Sequence, residues 1–208
     1  MLNLEVLGKA TVASAPFPYV AVSNALDEVS LARISRDFPA ITQPGVFPLS
    51  DLRYGAAFDE LIQDLQGPAF QALVAEKFDI DLAGRPLMIT VRGQCQKRDG
   101  RIHTDSKDKL VTGLLYLNDA GWRPQGGRLR LLRDGRNLTS AIAEIPPDGG
   151  NLVLFRRTEN SWHGHEPFEG PRRYVMFNWL RSDAALVKNV GRHKISAAFK
   201  RLGAGDGY

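Results

Sequence analysis

From Pro86 to Arg181 the chain is cut into short runs by turn-forming residues. They fall at Asp99-Gly100, Gly126-Gly127, Asp134-Gly135, Pro146-Pro147-Asp148-Gly149-Gly150 and Glu169-Gly170-Pro171. Glycine supplies the positive φ that tight turns need, and proline and aspartate preset the rest, so each site marks where an extended run reverses. The spacing predicts strands near 87–96, 101–105, 110–118, 127–133, 139–145, 150–156, 161–166 and 171–181. Eight strands this short and this closely spaced predict a sandwich or jelly roll.

The residues before Pro86 read differently. Leu2–Leu7 alternates apolar with polar and predicts a short edge strand; Tyr19–Val22 predicts a second. Asp27 is placed to cap a helix running to Phe38, with Leu31, Ile34 and Phe38 on one face and Pro39 as its stop. Residues 40–56 form a long connection, either a lid or a simple link. Helical spacing returns with Phe58, Leu61, Ile62 and Leu65, breaks at Gly67-Pro68, and resumes through Phe70, Leu73, Val74 and Phe78. These helices are expected to clad the sheet. After Ser182 the chain is basic (Lys188, Arg192, Lys194, Lys200, Arg201), with a short helix predicted over 194–201. The expected organisation is one domain, with strands and helices over 1–85, a mainly β core over 86–182 and a tail over 183–208.

A chain of 208 residues, 43% hydrophobic and 24% charged, suits a soluble domain with a sizeable core. Net charge is +4 with no dominant basic run, so a nucleic-acid partner is permitted rather than implied. Cys95 is the single cysteine, which excludes an intrachain disulfide and fits a reducing, cytoplasmic setting. No run approaches the roughly 18 to 20 apolar residues that span a bilayer, so no membrane partner is expected.

The chemistry-bearing residues lie in the second half. In His103-Thr104-Asp105 a strand would point the imidazole and the carboxylate to one face, giving two of the three donors that hold non-haem Fe(II). Downstream, Asn160-Ser161-Trp162-His163-Gly164-His165 follows the apolar run Leu152–Phe155. His163 and His165 share strand parity, and either could face inward to close a facial triad. On the last strand, an arginine beyond the distal histidine could fork onto a dicarboxylate whose other end is metal-bound. Arg172 and Arg173 compete for that place, since only one can point inward; Arg173 shares parity with Val175, Phe177 and Trp179. Tyr116 could add a hydroxyl to the same carboxylate. Thr90, Arg92, Gln94 and Gln96 alternate with Ile89, Val91, Gly93 and Cys95. In a cup clad by helices this polar set looks inward, making Gln94 a candidate cosubstrate contact; at an edge it would face solvent.

This ordered set resembles the 2-oxoglutarate and Fe(II)-dependent dioxygenases, in particular their prolyl-4-hydroxylase-like branch. The matching residues are His103-Thr104-Asp105-Ser106, Leu114–Asn118, Gly126-Gly127 before a strand, Ser161-Trp162-His163, and Arg173-Tyr174 with Trp179. The resemblance spans residues 88–181 and implies a double-stranded β-helix (jelly-roll) core backed by the N-terminal helices. It implies that His103, Asp105 and His163 hold iron, His163 being chosen over His165 because the family's ligand stands two residues after the serine. It also implies that Arg173 and Tyr116 grip the distal carboxylate of 2-oxoglutarate, with Arg173 preferred for its pairing with Tyr174 and its six-residue step to Trp179. The implied activity consumes 2-oxoglutarate and O2, releases succinate and CO2 and hydroxylates a substrate, with ascorbate as a supporting reductant. Halogenating relatives lack a carboxylate at the position of Asp105, so hydroxylation is favoured. Nucleic-acid-demethylating relatives carry a second arginine where Trp179 stands, which disfavours base repair. The branch points to a peptidyl residue such as proline, with a free amino acid or other small molecule as alternative. The contrasting class is a non-redox, cupin-like metal-binding module, which has no need of a dicarboxylate clamp.

Overall fold

A computed structural model of the chain describes residues 1–119, 122 and 126–191. Four helices, α1 (Leu4–Lys9), α2 (Glu28–Asp37), α3 (Ala56–Gln66) and α4 (Pro68–Phe78), lie in the first part of the chain. They are joined by β1 (Tyr19–Val22) and β2 (Phe47–Pro48). The remainder is β3 (Leu87–Cys95), β4 (Lys109–Tyr116), β5 (Leu129–Leu132), β6 (Ala141–Ile145), β7 (Leu152–Arg156), β8 (His163–Gly164) and β9 (Gly170–Leu180). The strands form a six-stranded sheet in the order β1-β7-β4-β9-β3-β2 and a three-stranded sheet in the order β6-β5-β8. Every strand pairing is antiparallel. This is the double-stranded β-helix, clad on one side by helices.

Strand parity divides the core into two layers. On the outer face of the large sheet, Ile89, Val91, Val175, Phe177 and Trp179 join Phe58, Leu61, Phe70 and Val74 of α3 and α4 in one buried cluster. Phe70 meets Phe177 and Trp179 at ring centroid distances of 5.5 and 5.8 Å. Each such aromatic contributes roughly 1.5–3 kcal/mol by burial. On the inner face, Leu114, Tyr116, Val153, Phe155 and Tyr174 meet Leu129, Leu131 and Ile145 of the small sheet. One end of this inter-sheet space is filled by these side chains; the other end is the site.

The Asp27 carboxylate accepts from the Ser30 N–H at 2.6 Å, capping α2 as its position in the sequence predicts. Four expectations are corrected. Residues Leu4–Lys9 are helical rather than extended: Leu4 and Leu7 are also one helical turn apart, Asn3 accepts from the Val6 N–H at 3.3 Å, and Lys9 pairs with Glu5 at 2.5 Å. Residues 101–105 form no strand; a single bridge joins His103 to His163. The strand expected over 161–166 shrinks to β8, and that over 139–145 begins only at Ala141, after a 3₁₀ turn at Leu138–Ser140. The connection 40–56 contains β2, hydrogen-bonded to β3, so it is tied to the sheet. The helix expected over 194–201 lies outside the described residues, while residues 183–191 are helical.

Candidate metal centre and cosubstrate pocket

The bridge between His103 and His163 is made by reciprocal N–H to carbonyl hydrogen bonds of 3.0 Å. It holds two segments sixty residues apart with their imidazole centroids at 4.3 Å. Each ring turns Nδ1 to a backbone carbonyl, His103 to Arg101 at 2.8 Å and His163 to Ser161 at 3.0 Å. Donation from Nδ1–H leaves the Nε2 lone pair of each ring free for a metal.

Asp105 completes the cluster. One ligand atom from each of His103, Asp105 and His163 can be chosen so that all lie within 4.8 Å of one another. The Asp105 carboxylate is buried, and its oxygens receive Lys109 Nζ at 2.7 Å and Thr112 Oγ1 at 2.6 Å. Thr112 Oγ1 also lies 2.9 Å from the Asn178 amide oxygen, but a hydroxyl has one proton and the carboxylate is the stronger acceptor. Burial works to raise the Asp105 carboxyl pKa, yet Lys109, His163 and the hydrogen bonds outweigh it and hold the group well below the usual carboxylate range. Burial pushes the His163 imidazole down to about 4. Asp105 is therefore anionic and His163 neutral at neutral pH, the states in which they ligate. Two imidazoles and one carboxylate at this spacing fit Fe(II).

The three donors open into a cavity of about 260 Å³, lined further by Arg92, Lys109, His165, Arg172, Tyr174 and Met176. Arg172 is 2% exposed. Its Nε donates to the Gly127 carbonyl at 2.8 Å and its Nη2 to the Tyr116 hydroxyl at 2.9 Å. Its guanidinium stacks 5.2 and 5.1 Å from the rings of Tyr116 and Tyr174. Gly127, at φ 69°, holds a backbone that other residues rarely adopt, and so sets its carbonyl against Arg172. Burial raises the Tyr116 phenol to about 12, so it stays protonated as a hydrogen-bond donor.

Arg173 is not in this cavity, contrary to expectation. It shares the parity of Val175, Phe177 and Trp179, the set that packs on the helices, and so points out of the cup. There its guanidinium lies over the Phe38 ring at 5.2 Å, 3.3 Å from Ser35 Oγ and 3.6 Å from Asp119, in a groove against α2. Gln94 is absent from the cavity lining as well. A register irregularity between Arg92 and Gln94 turns Cys95 toward the Arg92 guanidinium, with Sγ 3.3 Å from Nη1, and the intervening Gln94 is turned away. Tyr116 reaches the pocket through its hydroxyl contact with Arg172. His165, which burial pushes down to about 4, lines the cavity beside the arginines, with Nδ1 2.8 Å from the Glu166 carbonyl. Lys109 and Thr112 went unread. Thr112 shares strand parity with Leu114 and Tyr116, a signal present in the sequence. Lys109 reaches Asp105 only because the β4–β9 register shifts between Lys109 and Val111, and no sequence pattern announces that.

A double-stranded β-helix with a two-histidine, one-carboxylate cluster inside its barrel is an arrangement that non-haem iron oxygenases share. Residues 93–181 match the family model described as the 2OG-Fe(II) oxygenase superfamily. Among solved structures, a prolyl-4-hydroxylase of Pseudomonas putida is 19% identical with a TM-score of 0.56, over 79% of this chain and 92% of that one. The collagen prolyl hydroxylase of Paramecium bursaria Chlorella virus-1, solved with 2-oxoglutarate, is 16% identical with a TM-score of 0.53, over 79% and 95%. A Trichoplax adhaerens prolyl hydroxylase in complex with a hypoxia-inducible-factor peptide is 13% identical with a TM-score of 0.51, over 81% and 86%. Identities this low establish a shared fold. No curated protein sequence matches the chain. Residues 93–181 of the chain thus carry the match to the 2OG-Fe(II) oxygenase superfamily, whose members use Fe(II), 2-oxoglutarate and O2. That match and the shared fold support a 2OG-Fe(II) oxygenase enzyme. Among the described residues no helix is long and apolar enough to cross a membrane.

Proposed function

We propose that the protein is a hydroxylase in which His103, Asp105 and His163 hold Fe(II) and Arg172, with Tyr116, anchors the distal carboxylate of 2-oxoglutarate. The observation that carries this reading is one cavity lined by both the three donors and Arg172, whose guanidinium is hydrogen-bonded to the buried Tyr116 hydroxyl. Bound Fe(II) with 2-oxoglutarate and O2 would supply the oxidation, converting the cosubstrate to succinate and CO2 and placing one oxygen atom in a substrate C–H bond. The protein's own part is positional. The Arg101 and Ser161 carbonyls fix the tautomers of the two histidines, and Lys109 and Thr112 fix the plane of the Asp105 carboxylate. The Arg172 guanidinium, already hydrogen-bonded on its Nε and Nη2, has its rotamer set before any ligand arrives, which lowers the ordering cost of binding. Phe155, whose ring lies 4.7 Å from that of His163, packs against this imidazole and helps to hold its orientation.

The prolyl hydroxylases among the structural neighbours support a proline ring, in a peptide or as the free amino acid, as the group attacked. The test is succinate formation from 2-oxoglutarate under Fe(II) and ascorbate, together with calorimetric titration of 2-oxoglutarate into the Mn(II)-loaded protein. Binding and succinate release, both lost in His103→Ala, are expected. Metal binding with no affinity for 2-oxoglutarate and no succinate would leave a non-redox metal-binding module instead.

A further inference from the structure

Among the described residues two guanidinium groups line the cavity, and the proposed hydroxylase reading uses one of them. The other, Arg92 on β3, is cross-strand partner to Tyr174, which is partner to Tyr116 on β4. Arg92, Tyr174 and Tyr116 thus form a row across three adjacent strands, with Arg172 on the same face two residues before Tyr174. Arg92 is 8% exposed. Its Nη1 is committed to the Asp99 carboxylate and to Cys95 Sγ, which fixes one edge of the fork. Among the described residues its Nε has no acceptor. A buried donor left in that state costs about 1–3 kcal/mol, more when charged, so the arrangement calls for an acceptor. The Nε–Nη2 edge, on the side of the unpartnered Nε, is the one that forks side-on to a carboxylate.

We propose that Arg92 is a second carboxylate-recognition point, taking the carboxylate of the substrate, so that the molecule hydroxylated is a small carboxylic acid rather than a residue in the middle of a protein chain. The proposal rests on the hydroxylase reading for the statement that a substrate is oxidised here; the carboxylate site itself stands without it. Two further observations support it. The cavity, at about 260 Å³, is below the roughly 300–1,000 Å³ of common ligand pockets and must also admit the cosubstrate. Its wall at Val46 is held in place, because β2 pairs with β3 and Pro44 bridges Gln94, which ties that side of the cavity to the sheet. Charge gives the second. Arg92, Arg172, Lys109 and a divalent ion, set against Asp99, Asp105 and the two carboxylates of the cosubstrate, leave one positive charge. A single substrate carboxylate cancels it. Arg172 cannot exchange roles with Arg92, since its own Nε is already spent on the Gly127 carbonyl.

The test uses the Mn(II)-loaded protein saturated with N-oxalylglycine, a cosubstrate analogue that is not turned over, and acetate as the probe. Relaxation of the acetate methyl protons by Mn(II) reports binding near the metal. Saturable relaxation of acetate but not of acetamide is expected, weakened at least tenfold in Arg92→Gln with N-oxalylglycine affinity unchanged within twofold. Arg92→Lys keeps the charge and the Asp99 pair but lacks the fork, so it should also lose acetate while melting like the parent; it serves if Arg92→Gln does not fold. No acetate binding, acetate binding unchanged in both variants, or acetamide binding as well as acetate would overturn the proposal. So would loss of N-oxalylglycine affinity in Arg92→Lys, which would make Arg92 the cosubstrate anchor. Failure of N-oxalylglycine to bind the parent protein would instead sink the hydroxylase reading, and acetate titration without it would still report on Arg92.

Discussion

Arg172 and Arg173 are neighbours in the chain and stand on opposite faces of one sheet, with different partners and different consequences. Arg172 is buried between two tyrosine rings beside the metal-ligand cluster, and Arg173 ties β9 to α2. Arg172→Gln is expected to weaken 2-oxoglutarate binding roughly tenfold to a hundredfold, the equivalent of losing about 1.5–3 kcal/mol of charged hydrogen bonding. Arg173→Gln should leave that affinity within twofold, and calorimetry on the Mn(II)-loaded variants checks both. Equal losses would mean that the cup reorganises on binding. Lys109 offers a second residue-scale test. Its ammonium neutralises buried Asp105, so Lys109→Met strands a carboxylate and should cost the metal-free protein about 3–5 kcal/mol. A bound divalent ion takes over the neutralisation, so denaturant curves should show a clearly smaller loss in the metal-loaded protein. An equal loss in both states would place Lys109 outside the electrostatics of the site.

At the scale of elements, β4 and β9 form the floor, and their closeness to the helix layer depends on Gly113. A methyl group there would overlap the Phe177 ring, which lies across the strand from it. Gly113→Ala is expected to destabilise the fold by about 1–3 kcal/mol, as overpacking does, with a lower denaturant midpoint and an unchanged m-value. An unchanged midpoint would mean that Phe177 has room to move. The elements were legible where periodicity was long. The apolar spacing of α3 and α4 and the parity of β9 were readable because both persist over about ten residues. Residues Leu4–Lys9 and 101–105 were misread because six or fewer residues satisfy a period of 2 and one of 3.6 almost equally well. The register shifts at Arg92/Gln94 and Lys109/Val111 were invisible, since a bulge belongs to a strand pair and not to a strand.

For the whole molecule, metal and fold should be linked. His103 and Asp105 belong to one segment and His163 to another, so an ion bound to all three cross-links the native state and has no equivalent site in the unfolded chain. At a hundred times its Kd, Mn(II) should stabilise the protein by about 2.7 kcal/mol, raising the melting temperature by roughly 5–10 °C, with EDTA reversing the rise. His163→Ala should abolish the shift and His165→Ala keep it; the opposite result would exchange the two histidines. The sequence by itself determined the class of fold, the order of its turns, and the three metal-ligating candidates that the fold brings within 4.8 Å of one another. It did so because turn chemistry, strand parity and ligand type are properties of single residues and short runs. Only the tertiary structure decided which of two adjacent arginines enters the cup, that Lys109 neutralises Asp105, and that Arg92 Nε has no acceptor among the described residues. Those depend on which face the helices cover and on how two strands slip past one another, and neither is written along any one stretch of chain.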